Sequence, residues 1–159
     1  MTKVLGSPST DRVVLLQRDD PLSWQLMPVF CRRVARFCQR YGSEADVPLL
    51  LRAIEVNFTS EEPFCLGAVG LRGNRVVGHV FASVDDWFGV RFLTLVQFEI
   101  DVPGFDRHAL RVAFSRILAW GKTKGCRKAQ LLARDERLAR YFKRVWGFKP
   151  DKILMRGEL

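Results

Sequence analysis

The stretch RFLTLVQFEIDVPGFD, residues 91–106, decides how this chain is read. From Arg91 to Ile100 it is rich in aromatic and β-branched residues and free of Gly and Pro, which predicts a strand. Pro103-Gly104 stops that strand, and a helix follows from Asp106 to Lys122. Its apolar residues Leu110, Ala113, Phe114, Ile117 and Trp120 recur at helical spacing, with Gly121 and Gly125 near its end. Regular alternation along the strand puts Leu95, Gln97, Glu99 and Asp101 on one face. Thr94, Val96, Phe98 and Ile100 take the other. Three polar side chains therefore cluster, either on the wet face of an antiparallel strand or in a cleft.

Outward from this unit the pattern is equally mixed. Upstream, Phe64–Leu71, the turn Arg72-Gly73-Asn74 and Arg75–Val84 form a hairpin, and Asp85–Gly89 a further turn. Before them stand a strand at Val13–Gln17, a stop at Asp19-Asp20-Pro21, and an amphipathic helix over Pro28–Tyr41 ended by Gly42. In that helix Arg32, Arg33, Arg36 and Arg40 fall between the apolar positions, as a second basic surface or a solvated face. A shorter helix covers Val47–Val56, with Pro48 in its first turn. Downstream come a strand at Ala129–Ala133, a helix capped by Asp135 and closed by Gly147, and a last strand at Ile153–Met155. The order β-α-α-β-β-β-α-β-α-β calls for a mixed sheet with helices on its faces, an α/β or α+β fold.

The 159 residues, 48% of them hydrophobic and 11% aromatic, suit one globular domain over 1–159, with residues 1–10 as a flexible arm. No segment has the length or apolarity of a membrane span, and the first ten residues lack a secretory signal, so the expected location is cytoplasmic. Cys31, Cys38, Cys65 and Cys126 form no CxxC pair, and with only two His, His79 and His108, no metal site is expected. Charge divides the chain sharply. Residues 1–102 carry 11 basic and 12 acidic side chains, while residues 103–159 carry 15 basic and 5 acidic, so the last third alone is net +10. That asymmetry points to a polyanionic partner, nucleic acid or a phosphate-rich small molecule, or else to solvated helix faces.

Three stretches resemble the GNAT superfamily of N-acyltransferases. The hairpin Leu66–Gly70 through Arg72-Gly73-Asn74 to Val76-Val77-Gly78-His79-Val80 is similar to the family's second and third strands. Leu93–Asp101 running into the helix at Asp106 resembles its fourth strand and pyrophosphate-binding helix. Arg137–Pro150 resembles its last helix with a Gly147-Phe148 ending, and the tail has the flavour of bacteriophage-encoded members. The resemblance implies a mixed, mostly antiparallel sheet with helices on both faces and acetyl-CoA or another acyl-CoA as cofactor. Ile100, Val102, Gly104, Phe105, Arg107, His108 and Arg111 would bind it. The family's glycine-rich loop after the fourth strand is here reduced to one glycine, Gly104, with the acid Asp106 where phosphate should sit. Arg107, His108 and Arg111 would then hold phosphate by their side chains.

Acyl transfer to an amine needs a base for the ammonium and an acid for the departing thiolate. The resemblance makes Glu99 the base, and Gln97 beside it would position the acceptor; Trp87, with Phe88 at a turn between strands, would form an aromatic wall near the acceptor or else anchor that turn in the core. Tyr141 is the candidate acid, although the family's Tyr stands four residues before the Gly of the Gly-Phe ending, where this chain has Lys143. A packed Tyr141 is the other reading. The site would lie between the strand ending at Asp101 and the strand at Gln130. The implied function is acyl-CoA-dependent N-acyltransfer to a primary amine by direct attack in a ternary complex. The alternative is a catalytically inactive GNAT-like module in a phage virion or on nucleic acid, and under either reading the chain is a monomer, a homodimer or part of a larger assembly. A nucleic-acid-modifying enzyme would combine the two, with the basic C-terminal third holding the backbone.

Overall fold

A computed structural model describes residues 9–41, 46–131, 133 and 135–150. Four aspartates, Asp20, Asp46, Asp106 and Asp135, start its helices by accepting a hydrogen bond from an amide two or three residues ahead. The helices are α1 (Pro21–Arg40), α2 (Val47–Thr59), α3 (Arg107–Thr123) and α4 (Glu136–Trp146). Gly147, in the left-handed conformation, closes α4, and the Phe148 N–H returns to the Phe142 carbonyl.

The strands are β1 (Asp11–Leu15), β2 (Cys65–Arg72), β3 (Arg75–Trp87), β4 (Val90–Ile100) and β5 (Lys128–Leu131). They form one sheet in the order β1-β2-β3-β4-β5, antiparallel except for the parallel β4–β5 pair. Helices cover both faces. Phe114 and Ile117 of α3 and Phe142 of α4 pack on Leu66, Ala68, Val80, Ala82, Leu93 and Leu95. On the other side Phe30 and Val34 of α1 and Ile54 of α2 pack on Leu16, Val69 and Phe81. This is the mixed, mostly antiparallel α/β architecture expected from the sequence. Among the described residues no helix is long and apolar enough to cross a membrane.

Three local expectations need correction. Asp20-Pro21, read as a strand stop, is the start of α1. Asp20 caps it and Pro21 sits in the first turn, where a missing N–H costs nothing, so Pro28 lies inside the helix. The turn expected over Asp85–Gly89 is only two residues, because β3 runs on to Trp87 and pairs it with Val90. Phe88 and Gly89 bridge them with φ of 51° and 79°, the two positive values of a primed hairpin turn. Most consequential is a bulge in β4. Phe81 pairs with Gln97 and Ala82 with Leu95, so Val96 has no partner and the strand turns over there. Leu93, Leu95 and Phe98 consequently share the α3/α4 face, while Gln97 and Glu99 reach the α1 side. The expected alignment of Leu95 with Gln97 and Glu99 does not occur. The last strand at Ile153–Met155, most of the N-terminal arm and Gly42 lie outside the described residues.

Candidate active site

Beyond Leu95, paired with Leu131, β4 has no described partner on its β5 side. Among the described residues the sheet is therefore open along Val96–Ile100, and different chemistry lies on the two faces of that opening. On the α3/α4 face is a groove of about 1450 Å³, reaching from Phe98 and Ile100 past the loop Val102–Phe105 to the exposed side of α4. Phe98, Ile100, Leu110, Leu138 and Tyr141 give it an apolar floor, and the Tyr141 ring stacks on Phe98 at 6.3 Å and 19°. Its rims carry six cations, Arg107 and Arg111 from α3 and Arg137, Arg140, Lys143 and Arg144 from α4, against one acid, Asp135. Spacings of three and four residues bring Arg137, Arg140, Tyr141 and Arg144 to one side of α4. None of the six cations joins an ion pair among the described residues.

The loop that shapes this groove is fixed from β1. Asp11 makes two hydrogen bonds to Arg72, at 2.8 and 3.0 Å, and accepts the Asp106 N–H at 2.9 Å, while Arg72 also reaches the Pro103 carbonyl. The Arg72 hydrogen bonds hold the Asp11 carboxyl below the usual carboxylate range, against the opposing effect of burial. Asp106 turns its own carboxylate onto the first amides of α3, those of His108 at 2.7 Å and Ala109 at 3.4 Å. A helix N-terminus is ordinarily an anion site because such N–H groups are free. Here a side chain occupies two of them.

On the α1 face lies a buried polar network. Arg33 Nε donates to His79 Nδ1 at 3.3 Å, which leaves His79 Nε2 to carry the proton and donate to Gln97 Oε1 at 2.8 Å. Gln97 Nε2 donates in turn to Cys38 Sγ at 3.4 Å. Burial holds the His79 pKa below its usual value, outweighing the Gln97 hydrogen bond, and Arg33 adds to the depression. Arg33 Nη1 donates to Asp101 at 2.7 Å, and that bond lowers the Asp101 pKa. Glu99 faces two guanidinium groups, Arg40 Nη1 at 2.5 Å from Oε1 and Arg33 Nη2 at 3.8 Å from Oε2. The Arg33 Nη2 atom is buried and makes no hydrogen bond among the described residues.

The structure thus brings Ile100, Val102, Gly104, Phe105, Arg107, Arg111 and Tyr141 together around one groove. His108, exposed on α3, is not among the groove's lining residues. Glu99 is on the opposite face of β4, one residue from Phe98, and is reached from the groove only across the open edge. Gln97 is 4% exposed and fully engaged with His79 and Cys38, so it supports the network from within. Trp87 is at the hairpin tip, 61% exposed, at the other end of β4 from Ile100. Roughly ten strand residues, or about 30 Å, separate it from the groove.

Sequence reasoning missed the α4 cations as one wall and missed Arg33 as a buried residue. The second had a signal, since Arg33 lies three residues from Phe30 and four from Phe37, on the apolar side of α1. Arg40 shares that side and pairs with Glu99, whereas Arg32 and Arg36 are exposed.

The mixed, mostly antiparallel sheet with helices on both faces has the GNAT-like fold that the resemblance implies. No family model and no curated protein matches the sequence. Among solved structures the chain is similar to a predicted acetyltransferase from Clostridium acetobutylicum solved with acetyl-CoA, with a TM-score of 0.68 and 11% identity over 93% of this chain and 96% of that one. It is similar also to the aminoglycoside N-acetyltransferase AAC(6')-Iy in complex with CoA, with a TM-score of 0.65 and 13% identity over 98% and 99%. A third likeness is to an aminoglycoside acetyltransferase from an uncultured soil metagenomic sample, with a TM-score of 0.64 and 13% identity over 94% and 97%. At such identities the likeness is one of fold.

Proposed function

We propose that this chain is an acyl-CoA-dependent N-acyltransferase that transfers an acyl group directly to a primary amine. The observation that carries the reading is the groove, where six cations with no ion-pair partner among the described residues surround an aromatic and aliphatic floor at the edge of β4. Such a donor set fits a ligand with several phosphates and an apolar arm. Because Asp106 occupies the amides of His108 and Ala109, guanidinium and ammonium groups take over phosphate binding. They need no close backbone approach, and Arg holds phosphate oxygens in pairs. Arg107, Arg111, Arg137, Arg140, Lys143 and Arg144 would hold the phosphates, with Ile100, Val102, Gly104 and Phe105 beside them. The bound acyl-CoA supplies an activated thioester.

Base and acid fall on opposite sides of one strand. Glu99, once Arg40 moves off Oε1, takes a proton from the acceptor ammonium on the α1 face. The amine then forms its C–N bond as the C–S bond breaks. Tyr141, whose hydroxyl has no hydrogen bond among the described residues, donates a proton to the departing sulfur on the groove side. The second proton of the ammonium returns Tyr141 to its starting state through solvent. General acid catalysis of this kind contributes about 10²- to 10⁴-fold, so Tyr141→Phe slows the reaction without abolishing it.

The reading is tested by thermal unfolding with acetyl-CoA, free CoA and tripolyphosphate. Saturation at about 100 times the dissociation constant adds about 2.7 kcal/mol of stability. A shift with both CoA species and not with tripolyphosphate is expected. The Asp106 cap favours the second reading, a catalytically inactive module that binds nucleic acid or another polyanion through the same cations. Equal shifts with tripolyphosphate and acetyl-CoA would support it.

A further inference from the structure

The α1 face of the open edge holds a cluster whose charges balance, Arg33 and Arg40 against Glu99 and Asp101. Its members differ in freedom. The Arg33 and Glu99 side chains are 9% and 8% exposed, while those of Arg40 and Asp101 are 50% and 40% exposed. Arg33 is further tied to His79 and Asp101. The group that can leave Glu99 is therefore Arg40, in the last turn of α1.

Resting on the acyltransferase reading, we infer that the acceptor is zwitterionic, an amine that carries its own carboxylate as an α-amino acid does, and that it binds by exchanging partners with the Arg40–Glu99 pair. A simple amine that reached Glu99 would expel Arg40 and add one positive charge to a neutral cluster. Glu99 would keep a cationic partner, and the uncompensated charge would fall on Arg40, beside Arg33 and the incoming ammonium, where like charges repel. A diamine would add still more positive charge. An acceptor carboxylate receives the displaced Arg40 instead, so one ion pair becomes two and the net charge stays at zero. A phosphate dianion would overshoot that balance. Arg33 Nη2, buried 3.8 Å from Glu99 Oε2 and without a hydrogen bond among the described residues, is a donor the resting pair leaves unused and can close on Glu99 when Arg40 departs. Balance also holds through the reaction. The ammonium gives its proton to Glu99, the product amide is neutral, and the carboxylate stays on Arg40 until release.

The experiment measures thiol release from acetyl-CoA with each of the twenty common L-amino acids, the matching amino-acid amides, and putrescine. Turnover with at least one amino acid is expected, with kcat/KM at least about tenfold above that of its amide. In Arg40→Gln that ratio falls to about one, chiefly through KM for the acid, while Arg40→Lys retains part of the preference. Far-UV circular dichroism confirms that both variants fold. Amides or putrescine used as well as the acids would overturn the inference and leave the acyltransferase reading standing, as would an acid-to-amide ratio unchanged in Arg40→Gln. No turnover with any amino acid, in protein shown to bind acetyl-CoA by thermal shift, also overturns it. Absence of any acetyl-CoA shift marks failure of the acyltransferase reading itself.

Discussion

Acidification will destabilise this protein well above the pH at which carboxylates titrate, and His79 is the reason. The ring is 2% exposed, with Nδ1 accepting from Arg33 and Nε2 donating to Gln97, so a second proton would break the Arg33 bond and place a cation beside a guanidinium. Burial already lowers its pKa from the ordinary 6.5. Between that value and the depressed folded-state pKa, the unfolded chain binds a proton that the native state does not. Stability is therefore fully present above pH 6.5 and is lost as pH falls, at up to about 1.4 kcal/mol per pH unit. At about 2–4 °C per kcal/mol for a domain of this size, each unit lowers the melting temperature by roughly 3–6 °C. Urea unfolding at half-unit steps from pH 7.5 to 4.5 measures this directly. His79→Gln, which can still donate to Gln97, should remove the slope below pH 6.5 at some cost in stability at neutral pH. His108→Gln, at the only other histidine, is the control. Asp11 and Asp101, whose pKa values lie below 3.8, add their losses only as pH falls through that lower range. A wild-type curve flat from pH 6.5 to 5, or an equal slope in His79→Gln, would refute the assignment of a neutral buried His79.

Other expectations follow from single contacts. Asp106→Ala loses the α3 cap, about 1 kcal/mol and a few degrees of melting temperature, yet frees two amides and removes a negative charge. Calorimetric titration should show acetyl-CoA binding about tenfold tighter, one charge-assisted hydrogen bond's worth, and weaker binding would sink the account of the groove. Phe88→Gly relieves a left-handed phenylalanine with φ 51° and should raise stability by about 1–2 kcal/mol in chemical denaturation. Gly78→Ala should cost about 1–3 kcal/mol, because its Cβ would lie 2.8 Å from the Glu99 carbonyl oxygen and no flexible side chain can yield there. Val96→Ala, at a site 42% exposed, should fold with near-normal stability, whereas deletion of Val96 should leave no cooperative melt by circular dichroism.

What sequence could and could not show follows from the range of each interaction. Asp106 and Asp135 act within one helical turn and Gly147 closes the helix it follows, so α3 and α4 were legible to within a residue. The hairpin turn at Gly73 was legible for the same local reason. Pro21 and Pro28 were harder to separate, because both fit a first turn. The cap oxygen of Asp20 on the Leu22 amide decides between them. That Ile100, Val102, Gly104, Phe105, Arg107 and Arg111 would share one groove was legible because they lie close together in the chain. The α1 side was not, because Arg33 meets Asp101 across 68 residues and Arg40 meets Glu99 across 59. No spacing rule covers contacts of that length.

The single bulged residue Val96 links the two halves of the site. With unbroken alternation Gln97 and Glu99 would follow Leu93 and Leu95 to the α3/α4 face, among six cations that would compete for the carboxylate as surely as Arg40 does. Phe98 and Ile100 would turn toward α1, and Arg33 and His79, both buried, would lose the polar partners that make their burial tolerable. One extra residue reverses both outcomes together. It gives the groove an aromatic floor and gives the buried guanidinium its carboxylates. Its trace in the sequence is the three-residue step from Leu95 to Phe98 between the two-residue steps Leu93 to Leu95 and Phe98 to Ile100. A strand with one face buried permits such a step only where its register shifts. The bulge also puts the two residues proposed as base and acid, Glu99 and Tyr141, on opposite faces of the same strand. The charge division along the chain therefore has a structural meaning. The basic last third supplies the cations that line the groove, and Glu99 of β4 faces away from it.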